Sequence, residues 1–165
     1  MNALKKTPAK SAPKHDESKD FRRAQEHKGR VEVLRSVLGK HTAPVDVLTE
    51  LAEAELSNAH YKDAADLFRA AEHLSFGILA TSKAAHTTHA ALAQSMKAEF
   101  QHKLEKADEH WEQSEALGNL YQQTLAEAHK ALTESAYPRA LELVRAAEAM
   151  AHVHVHDGHH RETAA

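Results

Sequence analysis

Apolar residues recur three and four apart through most of this chain, the spacing of amphipathic helices. The pattern is strongest from Val45. Leu48, Leu51, Ala52 and Glu55 share one face up to a break at Ser57–Asn58, and Ala64, Leu67, Phe68, Ala71, Leu74 and Ile78 form the next stripe. So short a break predicts that the two helices pack as an antiparallel hairpin. Upstream, Phe21, Ala24, Lys28, Val31, Leu34 and Leu38 make a weaker stripe beginning near Asp20. Gly39 is placed to cap its end, and Thr42–Ala43–Pro44 opens the next element. Residues from Leu79 to Ala116 contain no Gly or Pro, and Leu92, Met96, Phe100, Leu104, Ala107 and Trp111 recur along them. They predict one long helix, or two with an unmarked joint. Leu117–Gly118–Asn119 reads as a stop signal, followed by a helix over Leu120–Glu134. A last helix runs from Tyr137 to Ala151, with Pro138 where a first turn tolerates it.

Composition supports an all-α fold, as antiparallel hairpins or as a bundle with a long central helix. The 165 residues hold only 5 Gly, 4 Pro and 5% aromatics, while Ala, Leu, Glu, Gln and Lys, the strong helix formers, are abundant. The length suits one domain. The absence of Cys excludes disulfides, thiolate metal sites and cysteine nucleophiles. No apolar run approaches the roughly 20 residues of a membrane span, and Met1–Lys19 has no apolar core of a secretory signal. A cytoplasmic protein without membrane contact is the default expectation.

Charge divides the chain further. Residues 1–40 carry 11 Lys/Arg and 5 Asp/Glu, a balance of +6, and the remainder carries 10 and 19, a balance of −9. The expected organisation is a disordered basic arm over 1–19, a helical domain over 20–151 and a flexible His-rich tail over 152–165. Such an arm could meet an anionic partner or fold back on the acidic body. No aromatic residue interleaves its lysines, which speaks against nucleic acid.

One segment recurs. His60-Tyr-Lys-Asp-Ala-Ala-Asp-Leu-Phe-Arg-Ala-Ala-Glu-His-Leu74 aligns without gaps on the 15 residues from Ala136 to Met150, 76 positions later. Tyr61, Ala64, Leu67 and the run Arg69-Ala-Ala-Glu72 are identical to Tyr137, Ala140, Leu143 and Arg145-Ala-Ala-Glu148. The order Tyr61, Ala64, Phe68, Ala71, repeated as Tyr137, Ala140, Val144, Ala147, resembles the second helix of a tetratricopeptide (TPR) repeat. Small residues there let helices approach while bulky ones fill the gap between hairpins. Leu48, Leu51 and Ala52 match the family's first helix before the first copy; Thr124, Glu127 and Ala128 match it poorly before the second. A regular array would repeat about every 34 residues, so the resemblance covers about 44–78 and 120–152 only. It implies a protein-interaction scaffold, binding a partner or itself, with Thr49, Glu50, Glu53 and Asn58 lining the groove.

The residues able to do chemistry are mainly histidines, 15 in all. Near the C-terminus His152, His154, His156, His159 and His160 gather within nine residues. A helix would align His152, His156 and His160, and an extended chain would align His152, His154 and His156. Neutral imidazoles of this kind suit Zn or Ni, so a metal-binding accessory protein is the alternative function. No cofactor is required by the scaffold reading.

Two shorter patterns point elsewhere. Glu99-Phe-Gln-His102 has the Glu-x-x-His spacing of ferritin-like di-iron bundles but no partner set. Arg145 and His152 share a helix face and resemble the Arg/His motif of HEPN-type helical ribonucleases, in which arginine would steady phosphate charge and histidine shuttle a proton. No phosphate-cradling glycine loop and no serine nucleophile motif occurs.

Overall fold

The computed structural model describes residues 17–40, 42–80, 90–110 and 115–153, and among them it holds six helices and no strand. In chain order these are α1 (Glu17–Leu38), α2 (Ala43–Ser57), α3 (Tyr61–Leu79), α4 (Ala90–His110), α5 (Glu115–Thr133) and α6 (Tyr137–Ala151). The expected all-α class is what the chain adopts. None of the helices is long and apolar enough to cross a membrane.

The boundaries follow local chemistry. Beyond α1, Gly39 takes φ +65°, the left-handed turn that glycine adopts without a side-chain clash. Thr42 precedes α2, and its carbonyl accepts the Asp46 N–H at 2.7 Å. One expectation needs correcting. Leu117–Gly118–Asn119 does not stop a helix but lies inside the start of α5. Leu117 is buried there, and no atom lies within 4 Å of the place a Gly118 Cβ would occupy, so the glycine costs propensity without breaking the element. Of the 79–116 stretch, Leu79 ends α3, 90–110 form α4 and 115–116 open α5, with 81–89 and 111–114, including Trp111, outside the described residues. Within α4, Phe100 and Ala107 are buried, whereas Leu92 is 46% exposed and leaves the stripe.

The helices form two sets of three. In the first, α3 packs on both α1 and α2; in the second, α6 packs on both α4 and α5; and α3 packs on α6. The ion pairs set the directions. Lys28–Glu53 and Arg35–Asp46 run α1 antiparallel to α2, while Arg23–Asp66 and Arg30–Glu72 run α1 parallel to α3. Arg69–Glu148 and His73–Glu142 run α3 antiparallel to α6, and Arg145–Glu99 and Lys103–Glu148 run α4 parallel to α6. The packing order α1–α3–α6–α4 is therefore a row, with α2 and α5 set against its two central members.

The 76-residue correspondence seen in the sequence of α3 and α6 extends through both sets. Ala24, Val31, Val45, Leu48 and Ala52 are buried, and so are Phe100, Ala107, Tyr121, Thr124 and Ala128 at the matching positions. The turns match bond for bond. After α2, Ala59 (φ 63°) and His60 donate to the Leu56 and Glu55 carbonyls; after α5, Ser135 (φ 62°) and Ala136 donate to Leu132 and Ala131. Both are Schellman caps built without glycine. Thr124, a poor match to Leu48 by polarity, is accommodated because its hydroxyl donates to the Leu120 carbonyl at 2.7 Å.

Ala70 and Ala146 are fully buried and lie within one turn of His73 and Glu142, which pair across the α3–α6 crossing. With side chains this small the two backbones can approach closely. Closer to the end of α3, a Cβ on Gly77 would fall 2.7 Å from Leu143 Cδ2, so glycine there leaves the room that Leu143 fills.

Candidate functional site

The four residues expected to line a partner groove lie on or just beyond α2 but are not equally available. Thr49 donates its hydroxyl to the Val45 carbonyl at 2.8 Å, and Glu53 pairs with Lys28 of α1 at 2.9 Å. Glu50 is exposed; Asn58 is exposed at the helix end, its backbone N–H bonded to the Ala54 carbonyl. Two of the four thus serve the fold's own bonds.

Of the five histidines expected to bind metal, His152 alone is described; His154, His156, His159 and His160 lie outside the described residues. His152 ends α6 with Nδ1 3.0 Å from the Glu148 carbonyl oxygen and Nε2 3.2 Å from the Glu148 carboxylate. Among the described residues no three His, Asp or Glu side chains converge as a metal site. Arg145 hydrogen-bonds Glu99 and Glu142 while His152 engages Glu148, so different carboxylates hold the members of the ribonuclease-like pair. Burial opposes the charge on Arg145, but the hydrogen bonds to Glu99 and Glu142 outweigh it and raise its pKa. In the Glu-x-x-His pattern Glu99 faces Arg145 and His102 is exposed.

What these residues build instead is a charged seam across the helix row. His27–Glu72 at 2.7 Å ties α1 to α3, His73–Glu142 at 3.1 Å ties α3 to α6, and Arg145–Glu99 at 2.6 Å ties α6 to α4. Glu148, buried near the centre, is reached by Arg69 at 3.6 Å, Lys103 at 3.5 Å and His152. The matching Glu72 is reached by His27, the position equivalent to Lys103. For Glu142, burial works to raise the pKa, but the hydrogen bonds and charges of His73 and Arg145 prevail and lower it. Elsewhere, burial followed by the nearby Asp108 charge pushes the Tyr121 phenol up to about 12.

Beside this seam lies a groove that periodicity did not reveal. Glu26, Gly29, Arg30, Val33 and Leu34 of α1, with Glu72 and Phe76 of α3, line an open groove of about 470 Å³. Val33 is 66% and Val37 61% exposed, and Phe76 and Leu79 are also exposed on the neighbouring helix. Val33 and Phe76 thus give the groove an apolar lining open to solvent. The only signal in the sequence was two valines, four residues apart, off the buried stripe of α1.

The class defined by this architecture is an all-α protein of two corresponding three-helix sets. No family model matches the chain, and no curated protein or solved structure was found to match it.

Proposed function

We propose that the protein is a non-enzymatic helical interaction module, a TPR-like scaffold or adaptor that binds protein through a helix-lined surface. The observation that carries the reading is the apolar lining that Val33 and Phe76 give the α1–α3 groove, with Val37 and Leu79 also exposed further along the same two helices. The hydrophobic effect rewards covering such a lining by roughly 25 cal/mol per Å² of apolar area. The charged side chains beside it are largely engaged with one another across helices, an arrangement suited to fixing the helices as a platform.

The test begins with the full-length chain immobilised in native extract, and continues with any retained protein purified and titrated against wild type and Val33→Glu. Val33 is mostly solvated, so the substitution spares the core. At least a tenfold weakening is the expected result. Equal affinity for both forms, or turnover of a substrate with no protein retained, would overturn the reading.

A further inference from the structure

The register of α3 on α6 follows from the ion pairs that cross between them. Arg69 pairs with Glu148 at 3.6 Å and His73 with Glu142 at 3.1 Å. The antiparallel register midway between these two pairs sets Ala70 opposite Ala146, both fully buried. Ala146 is the counterpart of Ala70 at the 76-residue offset. A helix that runs antiparallel to its own counterpart, matching residues face to face, is related to it by an approximate two-fold axis. Here that axis passes between the two alanines.

The same relation makes α3 complementary to itself. The α6 residues that meet α3 have counterparts of the same chemistry in α3: Glu148 has Glu72, Glu142 has Asp66, Leu143 has Leu67 and Ala146 has Ala70. With the α3 of a second copy in place of α6, Arg69 would meet Glu72 of that copy and His73 would meet its Asp66. Its Leu67 would fill the room beside Gly77 that Leu143 fills. Each contact would occur twice, once in each direction, as an isologous interface requires. The local settings agree as well. Within its own set Glu148 is held by Lys103, and Glu72 by His27 at the equivalent position. Glu142 is held by Arg145 in the same way as Asp66 is by Arg69. A pair of α6 helices would be poorer, because Ala149 stands where α3 has His73.

We infer that α3 carries a self-recognition surface whose partner is the α3 of a second copy, and that α6 covers this surface within the chain by imitating that partner. Cover from within the same chain prevails, because the effective concentration of α6 exceeds that of a second copy. Dimers form through this surface when α6 is kept off it. The inference does not draw on the α1–α3 groove and stands apart from the interaction reading.

The absence of cysteine lets engineered thiols report both arrangements in the full-length chain. Ala70→Cys combined with Ala146→Cys should close an intrachain disulfide, since residues facing across an alanine crossing suit the roughly 4.4–6.8 Å Cα separation it spans. Ala146→Arg sets a bulky charge against α3 while leaving the α3 surface intact. Sedimentation equilibrium on that variant should give twice the 18.2 kDa chain mass, and adding Ala70→Arg should restore the monomer. On the Ala146→Arg background Ala70→Cys should form an interchain disulfide, because residues at the axis meet their own copies; Glu50→Cys, on exposed α2, should not. Failure of the intrachain disulfide, or a helical Ala146→Arg that stays monomeric at about 100 μM, far above a micromolar Kd, would overturn the inference. If Ala146→Arg loses its helical circular dichroism, Ala70→Cys alone is refolded from urea under oxidation at about 100 μM. Trapping as a disulfide dimer well in excess of Glu50→Cys supports the surface, and equal trapping overturns it.

Discussion

Two residues hold a backbone conformation that their side chains resist. Ala59 and Ser135 sit at φ 63° and 62°, each closing a hairpin. A left-handed residue other than glycine costs about 1–2 kcal/mol, partly offset by the greater chain entropy glycine loses on folding. Ala59→Gly and Ser135→Gly should each stabilise by about 0.5–1 kcal/mol, read as a raised urea midpoint at unchanged slope. The reverse holds at Gly77. Gly77→Ala must displace Leu143 and should cost about 1–3 kcal/mol, whereas Gly118→Ala meets nothing and should gain about 0.5–1 kcal/mol. Thermal midpoints of the two variants moving in opposite directions would bear this out. Neither turn residue was legible in the sequence, because Asn58–Ala59 and Glu134–Ser135 lack the glycine by which such caps are recognised. Gly118 carried the opposite error: a glycine read as punctuation, in a helix start where Leu117 is buried.

Between elements, the decisive contact is the alanine-lined crossing of α3 and α6. Ala70→Leu and Ala146→Leu each insert bulk where the surroundings are fully buried, and each should destabilise by about 1–3 kcal/mol or more. Ala54→Leu on the exposed side of α2 should be nearly neutral, and equal loss from all three in a denaturant titration would contradict the role given to the crossing. The existence of these two helices was readable from their stripes and their shared Arg-Ala-Ala-Glu run. That they pack on each other was not, because a stripe says which face is buried and not against which element. Local pattern likewise cannot show that Arg145 reaches Glu99, a residue on another helix, and this is why a helix-face pair with His152 could look like a site. Val33 and Val37 went unremarked because they interrupt no stripe; their exposure emerges only once Leu34 and Val31 have turned inward.

At the scale of the whole molecule, the two three-helix sets are joined by carboxylates, which makes their union sensitive to acid. Glu142 has its pKa lowered in the folded chain by His73 of α3 and by Arg145. A carboxylate with a lowered folded pKa contributes stability above its unfolded pKa, about 4.3, and the contribution is lost as pH falls through the folded value. Wild type should therefore lose stability more steeply than Glu142→Gln below about pH 4.3, measured as urea midpoints at successive pH values. Parallel acid limbs for the two proteins would show that the His73–Glu142 contact does not bind the halves. Fold class was within reach of composition and periodicity, while the row α1–α3–α6–α4 was not, since its order departs from that of the chain.

The correspondence of the halves has a further use. Many buried positions of one set have a buried counterpart in the other, so the molecule carries its own paired experiment. Some members agree, as at Ala52 and Ala128, and others diverge though both are buried, as at Leu48 and Thr124. Exchanging residues between counterparts would thus separate what the scaffold demands from what one half has acquired for a task of its own.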